Sequence, residues 1–182
     1  DLSEVLAQPA PNKGYGNSTT TPYDVTDMET AEKVLLALSE TVGSRLRADR
    51  VQIGVVSVGI RYADLSHVSH QKVLDSPTNL TAEIYTAACG LFRELWKGDP
   101  IRHLGVHTGR ADGSDFGRQL NIFDQTDYEK LLKLDKTVDG LRSRFGNDAV
   151  MRAAFLDQPI DHMSGGISRE KRSVDYDRVA VR

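Results

Sequence analysis

The stretch VVSVGIRYADLSHVSHQKVL, Val55 to Leu74, decides how the rest of the chain is arranged. Val56, Val58 and Ile60 alternate with Ser57, Gly59 and Arg61. A period of two, apolar on one side only, is a half-buried strand. Ala63-Asp64-Leu65-Ser66 makes a turn. From Leu65 to Leu74 a second strand places His67, Ser69 and Gln71 on one face. Its other face mixes Val68 with His70 and Lys72, which predicts a bulge or a frayed end. Two such strands joined by a short turn form a hairpin with one apolar face, and that face must be covered.

The cover is found on both sides. Upstream, Thr26-Asp27-Met28-Glu29 has capping-box spacing, with Thr26 as the expected cap. Met28, Ala31, Leu35, Leu38, Val42 and Leu46 then form a helical stripe, and Arg45 and Arg47 suit the negative end of the helix dipole. Downstream, Ser76-Pro77 reads as a helix entry, and Ile84, Ala88, Leu91 and Leu95 mark a second stripe ended by Gly98 and Pro100. Lys13 to Thr21 and Ile101 to Thr108 read as outer strands. The expected fold is α+β: a four-stranded sheet with two helices on one face, in the order β-α-β-β-α-β, plus a C-terminal helical extension. The opposite face is left with Ser, Thr, Gly, Gln, His and Arg.

Around this unit, residues 1–12 read as a linker cut from something longer, and residues 13–110 as the domain. Residues 111–125 are a loop. In 126–156, Thr126 opens a second capping box, and Leu131, Leu134, Val138, Leu141 and Phe145 form an apolar stripe that Gly146 ends. A short helical piece is expected over 148–156. Residues 157–182 read as a polar, flexible tail.

Composition narrows the function. The net charge is −3, and residues 12–110 balance eleven basic against eleven acidic side chains. This is not the basic footprint of an obvious nucleic-acid binder, so any such role rests on segregation between faces. The single cysteine, Cys89, allows no disulfide within the chain; it reads as a small buried apolar residue and fits a reducing, cytoplasmic setting. There is no phosphate-binding glycine loop, nucleophile elbow or paired-cysteine motif. His103 and His107 fall in a strand, spread over ~13 Å, and His67 and His70 point to opposite faces, so no metal site is expected. On the polar face, short hydroxyls, glycines and main-chain amides suit close approach to phosphate oxygens. A merely solvated face is the alternative.

Five blocks in order carry a resemblance: KGYGNSTTTPYDVTD, VSVGIRYADLSHVSHQKVL, SPTNLTAEIYTAACGLFRELWKGDPIRHLGV, RQLNIF and LDKTVDGLRSRFGNDAVMRAAFL. Together they resemble the little-finger domain of bacterial Y-family (lesion-bypass) DNA polymerases, over roughly residues 12–156. The resemblance implies an open sheet face lying in the major groove of primer–template DNA and holding both backbones. It implies DNA contacts at Lys13, Ser18, Thr19, Thr20, Ser57, Arg61, His67 and Ser69, with Arg102 carried over less directly. Relatives often place Lys or Arg on the third strand; here His67 and His70 stand there, so affinity should be modest, with a shallow salt slope.

The resemblance also implies a sliding-clamp peptide of pattern Gln-Leu-x-Leu-Phe, matched by Gln119, Leu120, Ile122 and Phe123 with Ile122 in place of the second Leu. A few apolar anchors carry most of such an interface. The competing reading has Ile122 and Phe123 staple the next helix near Leu131. The family's catalytic palm, with three carboxylates on two Mg2+ ions, lies N-terminal to the little finger; nothing in this sequence corresponds to it. The fragment is therefore expected to need no cofactor of its own and not to polymerise DNA by itself, while its parent would be a DNA-directed DNA polymerase. Two alternatives stand: a module that dimerises through the 131–145 helix, and a helix-turn-helix reader in 127–156 with Arg152 as its base contact.

Overall fold

The computed structural model describes residues 13–110 and 127–163. Its elements run β1 (Gly16–Val25), α1 (Met28–Ala48), β2 (Ile53–Tyr62), β3 (His67–Thr78), α2 (Thr81–Leu95), β4 (Ile101–Gly109) and α3 (Tyr128–Phe145), followed by two short 3-10 turns. The four strands form one antiparallel sheet in the order β1-β4-β2-β3. The α+β class and the β-α-β-β-α-β order expected from the sequence are the observed ones.

The hairpin is built as its pattern dictates. The Tyr62 amide donates to the Ser66 carbonyl at 2.9 Å, and the Ser66 amide and hydroxyl both donate to the Asp64 carboxylate, at 2.9 and 2.6 Å. Those two bonds hold the Asp64 carboxyl below its ordinary range. Val56, Val58 and Ile60 are buried with Leu104 and Val106 of β4 against α1 and α2 in a single apolar cluster. α1 contributes Ala31, Val34, Leu35, Leu38, Val42 and Leu46; α2 contributes Ile84, Ala88, Leu91 and Phe92. Each deeply buried Leu or Ile of this kind stabilises the fold by about 2 kcal/mol.

Several local expectations are corrected. Asp27 rather than Thr26 caps α1, its carboxylate accepting the Thr30 amide at 2.7 Å. Asp127 caps α3 in the same way, through the Lys130 amide at 3.0 Å. In both boxes the Asp one position further on reaches the third helical amide. β1 starts and ends later than expected, continuing past Pro22 to Val25 with a register break after Thr20, which an edge strand tolerates. β3 likewise continues through Ser76-Pro77 to Thr78, and α2 starts only at Thr81. The irregularity expected in β3 comes after Val73, where the register shifts between Val55↔Val73 and Ile53↔Thr78; His70 and Lys72 themselves stay in register with Val58 and Val56 and are exposed on the edge strand. His70 there comes within 3.9 Å of Glu94 on α2.

The largest correction concerns α3. Only part of its apolar stripe packs: Leu131 and Val138 are half-buried, but Leu134 is 51%, Leu141 38% and Phe145 63% exposed, while Asp135 and Arg142 are buried. The reason lies in what α1 offers. Arg47 on α1 is bidentate to Asp139, at 2.5 and 3.0 Å, and reaches Asp135 at 3.0 Å. Glu40 on α1 accepts from Arg142 at 2.7 Å and from Arg152. The extension docks by ion pairs, each backed by further hydrogen bonds: Arg47 to the Asn79 carbonyl and Arg142 to the Val150 carbonyl. Beyond α3, 148–156 holds two 3-10 turns, Asn147–Ala149 and Ala153–Phe155, and not an α-helical piece, so no second helix is available for a helix-turn-helix. Phe155, Ile160 and His162 are buried, so packing continues beyond position 157.

Candidate nucleic-acid interface

In an antiparallel sheet, residues directly opposite each other share a face, about 5 Å apart. The register therefore writes the uncovered face as rows running β3-β2-β4-β1. One row is His67, Arg61, His103 and Thr20; the next is Ser69, Gly59, Gly105 and Ser18; the third is Gln71, Ser57, His107 and Gly16. A fourth, Val73, Val55 and Gly109, ends the face on an apolar note.

The middle row has no side chain larger than serine, so the floor is low at Gly59, while the His107 ring overlies it at Gly105. The glycines shape it in different ways. A Cβ on Gly16 would lie 2.3 Å from His107 Nδ1, and one on Gly105 would lie 3.0 Å from His107 Nε2 and 3.1 Å from Ser18 Cβ. The His107 ring thus lies across both glycines. A Cβ on Gly59 would meet nothing within 4 Å. Gly59 leaves open space over the centre of the sheet although no neighbour requires it, and it weakens strand propensity.

The charges of the face are sparse. Arg61 is exposed. His103 Nδ1 is hydrogen-bonded to the Thr20 hydroxyl at 3.1 Å. Burial first, then the Arg61 guanidinium and the His107 ring, hold the His103 imidazole below its ordinary value. Among the described residues no group of three or more His, Cys, Asp or Glu could hold a metal ion.

Of the residues singled out in the sequence, Ser18, Thr20, Ser57, Arg61, His67 and Ser69 come together on this face. Thr19 does not: it pairs with Leu104 on the helix side, its hydroxyl on the Thr20 carbonyl at 3.3 Å. Lys13 precedes β1 at the opposite end from Arg61 and is exposed. Arg102 sits at the rim, where the β2–β4 register shifts, and pairs with Asp24 at 3.5 Å. Gln119, Leu120, Ile122 and Phe123 lie outside the described residues. His and Gly were expected on this face as residue types, but His103, His107 and the glycines were not named among its contact residues. The signal was there, since His103, Gly105 and His107 alternate in β4, but their neighbours follow only from the β1-β4-β2 order.

The architecture is a four-stranded sheet covered by two helices on one side, with an open face whose paired positions carry no carboxylate on the other. The chain belongs to the impB/mucB/samB family: residues 12–122 match the family's C-terminal domain. It is 37% identical over 147 residues to DNA polymerase IV of Clostridium acetobutylicum, covering 80% of this chain and 37% of that protein. It is 39% identical over 148 residues to DNA polymerase IV 2 of Bacillus subtilis, covering 79% of this chain and 35% of that protein. The chain thus spans little more than a third of the length of these relatives. Among solved structures, a complex of the beta-clamp processivity factor and the little finger domain of PolIV is similar over 60% of this chain and 98% of that chain, with 20% identity and a TM-score of 0.45. No helix among the described residues is long and apolar enough to cross a membrane.

Proposed function

We propose that this chain is the DNA-gripping C-terminal region of a cytoplasmic, error-prone lesion-bypass DNA polymerase acting in DNA repair. The observation that supports it best is the open face itself: six of the expected contact residues share one surface whose paired positions carry no carboxylate, and its floor is low at Gly59. Serine and threonine hydroxyls and Arg61 donate to phosphate oxygens of primer–template DNA, and the low floor lets the backbone approach closely. These contacts position the duplex without reading its sequence. Catalysis, with its metal ions, belongs to the parent enzyme; this region supplies grip and recruitment. Recruitment runs through Gln119, Leu120, Ile122 and Phe123, which anchor to a bacterial sliding clamp and raise the local concentration of the enzyme at the primer end.

Fluorescence anisotropy against labelled primer–template DNA and against a sliding clamp tests both halves. Arg61→Ala should weaken DNA binding and spare the clamp. Leu120→Ala with Phe123→Ala should abolish clamp binding and spare DNA. If both variants lose both activities, a two-site molecule is the wrong description. The exposed Leu134, Leu141 and Phe145 favour a second reading, pairing of two copies through α3. Mass that rises with concentration in sedimentation equilibrium, and falls back in Phe145→Glu, would establish it.

A further inference from the structure

The open face carries three imidazoles beside its one guanidinium. His67 and His103 flank Arg61 on the neighbouring strands of a single row. His107 is two positions along β4 from Gly105, its ring over Gly16 and Gly105. None of the paired positions on this face is a carboxylate. Of the acids around it, Asp24 pairs with Arg102 and Asp64 accepts from Ser66, while Asp75 is exposed two positions past Val73, where the β2–β3 register breaks. What faces His103 is Arg61 from β2, His107 from its own strand, the Thr20 hydroxyl from β1 and, past Arg61, His67 from β3. Both helices pack on the other side of the sheet.

The charge of this face is therefore conditional. With the rings neutral, the paired positions of this face among the described residues hold one fixed cation, Arg61. With all three protonated they hold four. Histidine is the side chain whose charge changes near neutral pH, and here burial, Arg61 and His107 favour the neutral ring of His103 in the free protein. Among the described residues no paired position on the face is a carboxylate, so an arriving polyanion supplies the missing countercharge.

We propose that His67, His103 and His107 take up protons when a nucleic-acid backbone settles on the open face, so that the grip on duplex DNA strengthens as pH falls. This rests on the DNA-binding reading above. The sign follows from linkage. Phosphate beside an imidazolium raises the ring's pKa in the complex above that in the free protein. The advantage is absent above the bound value, grows as pH falls through it, and is complete below the free value. Each proton taken up changes affinity by up to about tenfold per pH unit. Each added phosphate contact also steepens the salt dependence, by about 0.9 in log–log slope.

The test is anisotropy of the whole 182-residue chain on a labelled primer–template duplex, from pH 8.0 to 5.5 at several salt concentrations. We expect affinity to rise at least about tenfold from pH 7.5 to 6.0, with a steeper salt slope at the lower pH. Calorimetry in buffers of different ionisation enthalpy should register net proton uptake at pH 6.5. His67→Gln, His103→Gln and His107→Gln combined should flatten the pH profile. His70→Gln, on the helix side near Glu94, should keep the rise. A duplex affinity that is constant across pH, or a rise that survives the triple substitution, overturns the proposal and leaves the DNA-binding reading standing. No duplex binding at any pH overturns both.

Discussion

The carboxylate of Asp135 accepts the backbone amide of Thr81 at 2.9 Å, so α2 is capped by a residue on another helix. The local sequence offers no substitute: the residue at the cap position is Leu80, whose side chain makes no hydrogen bond there. The same Asp135 oxygen takes a guanidinium bond from Arg47, at 3.0 Å. One side chain of α3 thus completes α2 and pairs with α1. Asp135→Ala should destabilise the fold by about 2–3 kcal/mol, from a lost cap and a partly unpaired buried cation. Urea unfolding measures the loss, and hydrogen exchange should show it concentrated at the first turn of α2.

Burial separates two ion pairs of similar length. Glu40, buried, holds Arg142 at 2.7 Å together with Arg152. Glu32 holds Arg93 at 2.5 Å with the guanidinium exposed to solvent. Glu40→Ala should cost about 3 kcal/mol, because Arg142 stays buried without its carboxylate. Arg93→Ala should leave the urea midpoint unchanged within error.

Gly59 allows stability and binding to be pulled apart. Its backbone accepts a side chain without a clash, and a β-branched residue suits a strand better. Gly59→Val should raise the melting temperature while weakening primer–template binding in anisotropy, because it raises the floor there. Unchanged DNA affinity in a correctly folded Gly59→Val protein would remove this face from the DNA-binding account.

Cys89 of α2 is buried in the core, and burial pushes its thiol up to about 11, against an opposing hydrogen bond with Tyr85. The thiolate is therefore scarce at pH 8, and iodoacetamide should label the native protein far more slowly than the urea-unfolded chain. The sign for stability is that of a raised folded pKa. The contribution is complete below the unfolded thiol value of about 8.5 and is lost as pH rises through about 11. Cys89→Ala should flatten alkaline destabilisation in that window.

The sheet was legible because Val56, Val58 and Ile60 need one cover and the two flanking stripes could supply it. The open face was legible only in part. Alternation put Ser57 and Arg61 on it, but the neighbours of Arg61 depend on strand order, and β4 between β1 and β2 is a long-range fact. Thr19 was misjudged for the simplest reason: hydroxyl residues in a row, Ser18-Thr19-Thr20, cannot all face one way in a strand. α3 misled because an apolar stripe is ordinarily the packing face. Here the partner surface on α1 is Glu40 and Arg47, and charges so far apart in sequence give no periodic signal.

The pairing of β1 with β4 has a mechanical meaning. Gly16 faces His107, and the Tyr15 carbonyl accepts the Thr108 amide, so residues 13 and 110 sit at the same corner of the sheet. Ladder bonds in an antiparallel pair run across the strands. A pull between these two points would load the rungs singly, starting at that corner, and would peel the edge strand rather than shear it. Tension on the flanking chain would therefore meet its weakest resistance at Lys13 and Arg110, and the first strand to come away would be the one carrying Ser18 and Thr20.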